Sequence, residues 1–121
     1  MKRSDFRSGL EFEVAKQLED AGITYEYEET RVEYQKPVSK YLVDFELPNG
    51  ILIETKGRFK PADRTKHLLI KQQHPGLDIR FVFSNSQNTL SKKSSTTYAD
   101  WCDKHGFKWA DKQIPRSWID E

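Results

Sequence analysis

The sequence has only one cysteine, Cys102, so no disulfide can close within the chain, as suits a reducing compartment. No apolar run is long enough to cross a membrane. The opening Met1-Lys2-Arg3-Ser4-Asp5 leads straight into an amphipathic segment and lacks the apolar stretch of a secretion signal. Together these absences lead us to expect a cytoplasmic protein with no membrane partner. No glycine-rich loop offers a cradle for nucleotide phosphates, so no nucleotide cofactor is expected. The three histidines, His67, His74 and His105, have neither zinc-ligand spacing nor a His-Asn nuclease pattern, and each reads as a surface or boundary residue. Excess charge of one sign is missing too. The formal net charge is +1, which by itself gives no reason to expect a nucleic-acid partner.

What is present is unevenly placed. From Lys56 to Lys71 there are six bases (Lys56, Arg58, Lys60, Arg64, Lys66, Lys71) against Asp63, a balance of +5. From Glu11 to Glu33 there are eight acids and two bases, a balance of −6. A basic stripe beside an acidic cluster suits a phosphate-binding surface next to a metal site, and equally suits two solvated faces. The 121 residues are the usual size of one domain, 1–121, able to bury roughly two-thirds of the unfolded surface without staples.

Along the chain, Ser4 or Asp5 can cap a helix ending near Gly22, with Phe6, Leu10, Val14, Leu18 and Ala21 on one face. Ile23 to Tyr34 reads as a strand, and Gln35 to Lys40, with Pro37, as a connector. Tyr41 to Leu47 and Ile51 to Lys56 alternate with period two. Pro61 to Gln73 is a helix stopped by His74-Pro75-Gly76. Asp78 to Ser84 is a strand, Asn85 to Ser95 a polar loop, and Thr96 to His105 a helix ended by Gly106. Trp109 and a short turn, Pro115 to Asp120, complete the chain. The order α-β-β-β-α-β-α predicts an α/β domain with helices packed on a mixed sheet.

The hairpin carries the strongest signal. Pro48-Asn49-Gly50 suits a three-residue loop with Gly50 left-handed. That loop pairs Leu47 with Ile51, Phe45 with Ile53, and Asp44 with Glu54. Tyr41, Val43, Phe45 and Leu47 then share a core face with Ile51 and Ile53, while Asp44 stands opposite Glu54 on the other face with Lys56 beside them. Like charges directly opposite are destabilising. A hard divalent cation bound by their oxygens would offset the repulsion. A two-residue Asn-Gly turn would separate the two acids, but the clean apolar face favours three. Taken singly, each of Asp44, Glu54 and Lys56 is an ordinary exposed residue; the combination is not.

Glu11 falls about 20° from Leu18 on the helical wheel, inside the apolar stripe. A carboxylate there needs a pair or a metal. Arg7, one turn away, could simply pair with it. Glu26, in Tyr25-Glu26-Tyr27-Glu28-Glu29, cannot be singled out by periodicity.

Asp44-x9-Glu54-x-Lys56 resembles the PD-(D/E)xK nuclease signature. Longer stretches resemble the bacteriophage endonuclease I family of Holliday-junction-resolving enzymes. They include Phe6-Arg7-Ser8-Gly9-Leu10-Glu11, Leu47-Pro48-Asn49-Gly50-Ile51, Glu54-Thr55-Lys56-Gly57, Lys66-His67-Leu68-Leu69-Ile70 and Gln73-His74-Pro75. The resemblance spans nearly the whole chain. It implies a restriction-endonuclease-like core in a segment-swapped homodimer, bridged through Gln35 to Lys40. It implies a host-cell cytoplasmic location. Asp44, Glu54 and Glu11 are then metal ligands for one or two Mg²⁺ or Mn²⁺ ions, Lys56 is the catalytic lysine, and Glu26 is a further acid needed for activity. Branched double-stranded DNA is the implied substrate. Arg7, Arg58, Lys60, Arg64, Lys66 and His67 are expected to contact its phosphates. There are departures: Val43 replaces the signature's Pro, the connector is shorter than the family's bridge, and the family's basic tail is absent after Asp120-Glu121. Weaker duplex affinity is the expectation from that last difference. Two other readings stand beside this one: a sequence-selective or nicking endonuclease on the same core, and a catalytically idle DNA-structure-binding module. The first would need base-edge readers in the major groove, and no inserted recognition element is visible.

Overall fold

The structure, a computed structural model, describes residues 2–35 and 38–121. A five-stranded mixed sheet runs in the order β1 (Glu26–Tyr27), β4 (Phe45–Glu46), β5 (Leu52–Lys56), β6 (Ile79–Phe83), β7 (Trp109–Asp111). Pairings within β1-β4-β5 are antiparallel, and β5-β6-β7 are parallel. Strands β2 (Arg31–Gln35) and β3 (Val38–Leu42) pair antiparallel as a separate two-stranded sheet. Helix α1 (Gly9–Asp20) lies on one face of the main sheet, and α2 (Pro61–Gln73) and α3 (Tyr98–His105) on the other. A last turn, α4 (Arg116–Ile119), rejoins the α1 side through Trp118. The α/β class and mixed sheet agree with the sequence pattern.

Period-two alternation sorts the side chains into two cores. Ile53 and Val82 meet Val14, Ala15 and Leu18 of α1. Leu52, Phe81 and Phe83 meet Ile70 of α2 and Tyr98, Trp101 and Cys102 of α3. Phe59, 2% exposed, sits against Phe81, Phe83, Tyr98 and Trp101 with ring centroids 4.9 to 5.7 Å away, which anchors the crossover from β5 into α2.

Several expectations are corrected. Helix α1 begins at Gly9, because the Ser8 hydroxyl accepts from Glu11 N and caps it, while Arg3–Asp5 is a lone 3-10 turn. That leaves Phe6 outside the helix, 4.7 Å from the Tyr27 ring. Ala21 is exposed. The stretch from Ile23 to Tyr34 is not one strand: it breaks between β1 and β2, where Glu28 takes a positive φ of 54°. The expected connector, Gln35 to Lys40, is strand where it is described, which leaves its role as a bridge open: Gln35 ends β2. Val38 to Lys40 belong to β3, and residues 36 and 37 of that expectation lie outside the described residues. Strand β7 was hidden from pattern reading by its three-residue length.

The largest correction concerns Tyr41 to Leu47. Phe45 pairs with Ile53 and the Leu47 N–H donates to the Ile51 carbonyl, so the three-residue loop sets the expected register. Gly50 takes φ 90°. Pairing with β5 stops at Phe45, however. Tyr41 and Val43 pack into the α2 side of the core, and Phe45 and Leu47 into the α1 side. One apolar face became two because the chain changes partners at Val43-Asp44, leaving β3 and joining β4.

A Cβ at Gly50 would meet nothing within 4 Å, so Gly50→Ala should cost only the conformational penalty of a left-handed site, about 1 kcal/mol. Urea denaturation should show that loss with an unchanged m value. A loss several times larger would mean the loop holds the register by contacts as well as by backbone geometry.

Candidate active site

Where β4 leaves β5, the Thr55 N–H has no ladder partner, and the Asp44 carboxylate replaces it. Asp44 Oδ2 accepts from the Thr55 amide and hydroxyl, each at 2.9 Å. The expected Asp44 to Glu54 neighbourhood is therefore present, but Asp44 is turned along β5 onto Thr55 rather than standing in a ladder pair. Both carboxylates are buried, at 1% and 4% exposure. Burial and then the nearby Glu54 push the Asp44 carboxyl up to about 8. Burial also raises Glu54, against the pull of Lys56 and the Tyr41 hydroxyl that donates to it.

Glu11, 4% exposed, completes a group of three buried acids. The wheel left a pairing with Arg7 open, and the structure shows that pair together with more. Tyr27 Oη donates to Glu11 Oε1 at 2.7 Å. The Arg7 guanidinium lies 3.4 Å from Glu11, 3.1 Å from Asp44 and 2.6 Å from Glu28. Lys56 Nζ sits 3.4 Å from Glu54 and 3.3 Å from Asp63. Burial lowers the Lys56 pKa, but these two acids outweigh it and the net shift is upward. Lys56 is thus held as an ammonium, able to donate hydrogen bonds and unable to accept a proton.

The other expected residues are less gathered. Glu26 is exposed on β1 opposite Glu46, on the strand face away from Tyr27. Glu28, not Glu26, reaches the acid cluster through Arg7; its left-handed φ flips the side-chain alternation, which no periodicity reveals. Arg58 and Lys60 are exposed at the start of α2. Arg64 is half-buried and donates to the Phe59 carbonyl at 2.6 Å. Lys66 lies over the Tyr41 ring at 4.9 Å. His67 corrects the expectation most clearly. Its ring is fully buried among Tyr41, Phe81 and Phe107, with neither nitrogen hydrogen-bonded among the described residues, so it cannot touch a phosphate in this fold. Burial and the neighbouring Lys66 and Lys56 hold its pKa well below the usual range. Tyr41, Tyr27, Thr55 and Asp63 were missed by sequence reasoning, since each acts by orienting a charged neighbour and none has a chemistry that stands out in a strand or helix.

Glu11, Asp44 and Glu54 have the donor chemistry of a hard divalent cation site: three buried acidic side chains whose oxygens are hard donors. As the side chains stand, no three acidic, histidine or cysteine groups among the described residues surround a common point. Arg7, Thr55, Tyr41 and Lys56 hold the oxygens instead. A cation would fit by displacing some of these partners.

A raised carboxyl pKa has a stability consequence. The folded Asp44 near 8 lies above its unfolded value, so its contribution is complete at low pH and is lost as pH rises through about 8. In chelator, the protein should lose roughly 3 kcal/mol of stability between about pH 6 and about pH 9 from this group. Thermal melting of the native protein and Asp44→Asn at both pH values checks it. The variant should lose that part of the slope, and an identical slope would remove Asp44 as its source.

Comparison with known proteins agrees with the pattern of residues. The family model for phage endonuclease I matches residues 1–121. The chain is 58% identical over 118 residues to Endonuclease I of Escherichia phage T7, which covers 96% of this chain and 79% of that protein. It is 56% identical over 118 residues to Endodeoxyribonuclease 1 of Enterobacteria phage T3, covering 96% and 78%. With its whole length matched and more than half its residues shared with two such proteins, the chain belongs to the phage endonuclease I family.

Proposed function

We propose that this protein is a metal-dependent DNA endonuclease that hydrolyses phosphodiester bonds in branched double-stranded DNA, as a Holliday junction resolvase does, with a restriction-endonuclease-like core. The observation that carries the reading is the group of three buried carboxylates, Glu11, Asp44 and Glu54, beside a protonated Lys56 in a chain of this family. Mg²⁺ or Mn²⁺ held by these carboxylates would activate a water and neutralise charge at the leaving oxygen. Lys56, kept cationic by Glu54 and Asp63, orients the attacking water or stabilises the negative charge that develops on the phosphate. It is not the base. Thr55 and Tyr41 fix Asp44 and Glu54 in place before substrate arrives. Arg58 and Lys60, exposed at the entrance to α2, are the cations of the basic segment best placed to meet a phosphate backbone. The role of Glu26 as a further required acid rests on the family resemblance alone.

Cleavage of a four-way junction should need Mg²⁺ or Mn²⁺ and stop in chelator while binding persists. Lys56→Ala should lose at least about a hundredfold in cleavage rate and keep junction affinity. Comparing cleavage and binding of a junction, a matched duplex and single-stranded DNA tests both claims. Undiminished cleavage in excess chelator would overturn the metal reading. Equal losses of binding and cleavage would reduce Lys56 to a phosphate contact.

The homodimer with exchanged segments belongs to the same proposal. Glu11 and Asp44 meet within one chain here, and exchange of identical elements would rebuild the same contacts between chains. Glu11→Ala and Glu54→Ala homodimers should be inactive, while a heterodimer of the two should regain nicking of one strand. A fully inactive heterodimer would rule out a shared site and leave the nuclease reading standing.

A further inference from the structure

We propose that Arg7 is a built-in positive charge of the acidic site, which bridges Asp44 and Glu11 in the metal-free protein and must leave them when a divalent cation binds. The inference rests on the metal-dependent reading above and concerns what the site does before metal arrives.

Its geometry is that of a bridging charge. A single guanidinium nitrogen, Nη2, stands 3.1 Å from Asp44 Oδ1 and 3.4 Å from Glu11 Oε2. The other Asp44 oxygen, Oδ2, is already taken by the Thr55 amide and hydroxyl. Oδ1 is thus the Asp44 oxygen that Arg7 holds, and a cation drawing on Asp44 and Glu11 together would need the ground on which Nη2 stands. Two positive charges cannot share that space.

Exposure shows that this positive charge is removable. The Arg7 side chain is 64% exposed, whereas those of Asp44 and Glu11 are 2% and 5%. The acids are fixed in the protein and the cation comes to them from outside. The Arg7 backbone is separately anchored, its N–H donating to Glu11 Oε1 at 3.0 Å and to the Tyr27 hydroxyl at 3.2 Å. The main chain can therefore stay in place while the guanidinium swings. Glu28 gives it somewhere to go. The Nε to Glu28 contact, at 2.6 Å, is the shortest of the three, and Glu28 is more exposed than the two buried acids. Glu28 also holds a left-handed φ of 54°, a conformation disfavoured for a residue with a side chain. That backbone brings the carboxylate to the rim of the site, where it can retain Arg7 after Asp44 and Glu11 have been released. From the rim, the guanidinium is free to meet a substrate phosphate.

The test uses Mn²⁺ and the DNA-free protein, so it does not depend on activity. Mn²⁺ binding is measured by calorimetry for the native protein, Arg7→Met, Arg7→Gln and Asp44→Asn, at a pH high enough that proton competition is the same for all. Removing the competing charge should tighten Mn²⁺ binding on the order of tenfold in Arg7→Met and Arg7→Gln. Thermal melting supplies the second readout. In chelator both Arg7 variants should melt below the native protein, and saturating Mn²⁺ should erase the difference. Unchanged or weaker Mn²⁺ binding in these variants would overturn the proposal, as would a melting deficit that persists at saturating Mn²⁺, since a purely structural arginine would leave one. Absence of Mn²⁺ binding by the native protein, or binding undisturbed by Asp44→Asn, would instead overturn the metal reading on which the proposal rests. Should Arg7→Met fail to fold, Arg7→Gln, which keeps hydrogen-bonding groups without the charge, gives the same comparison.

Discussion

The site depends on one unsatisfied hydrogen bond. Strand β5 runs three residues beyond the point where β4 stops pairing with it, and a buried amide without a partner costs about 1 to 3 kcal/mol. Asp44 satisfies the Thr55 amide with its side chain, so its carboxylate is drawn into the sheet and away from water. The other features follow from that placement. Burial beside Glu54 raises the Asp44 pKa, and Arg7 reaches in from the surface to supply charge. Tyr41, no longer part of a strand with Phe45, crosses to the α2 side and donates to Glu54. A ladder continuing through Asp44 would have satisfied the Thr55 amide with a backbone carbonyl and left the acid free to point outward.

Some of this was legible in the sequence, and for physical reasons. Pro48-Asn49-Gly50 restricts the backbone strongly enough to set the loop length, and loop length sets register, so the neighbourhood of Asp44 and Glu54 could be read directly. Helix α2 was legible because Pro61 and His74-Pro75-Gly76 mark both ends. Glu11 stood out because a carboxylate on an apolar stripe demands an explanation, which its burial beside Arg7, Tyr27 and Asp44 provides. The break at Val43-Asp44 was not legible. Alternation from Tyr41 to Leu47 is unbroken, and nothing in it signals that the pairing partner changes midway. Glu28 was hidden for the converse reason: its left-handed backbone puts it out of phase with Glu26, and only tertiary context selects that conformation for a non-glycine residue. His67 was misplaced because a helix carrying Arg64, Lys66 and His67 in near succession looks basic in sequence, yet successive residues of a helix point about 100° apart. One of the three therefore enters the core.

The same geometry explains why the stretch from Lys56 to Lys71 is not one basic surface. Lys56 faces inward to Glu54 and Asp63, Arg64 turns to the Phe59 carbonyl, Lys66 covers the Tyr41 ring, and Lys71 reaches Gly106 across α3. Charge counted along a chain describes a surface only where the side chains share a side of the element. Here Lys56, Arg64 and Lys66 are committed to internal partners, and the exposed cations are Arg58, Lys60 and Lys71.

Tyr41 has one edge in the acidic site and the other in the core. Its hydroxyl donates to Glu54, while its ring meets the His67 imidazole at 5.0 Å, edge to face, with Phe81 4.8 Å beyond. The imidazole is uncharged, shielded from solvent and without a hydrogen-bond partner among the described residues, so its carbon-bound protons feel chiefly the magnetic anisotropy of the rings around it. Any tilt of Tyr41 that accompanies a change at Glu54 displaces those ring currents. The fold thus carries an intrinsic nuclear magnetic resonance reporter: a histidine with no chemistry of its own whose proton frequencies register, from inside the core, the state of a carboxylate on the far side of a tyrosine.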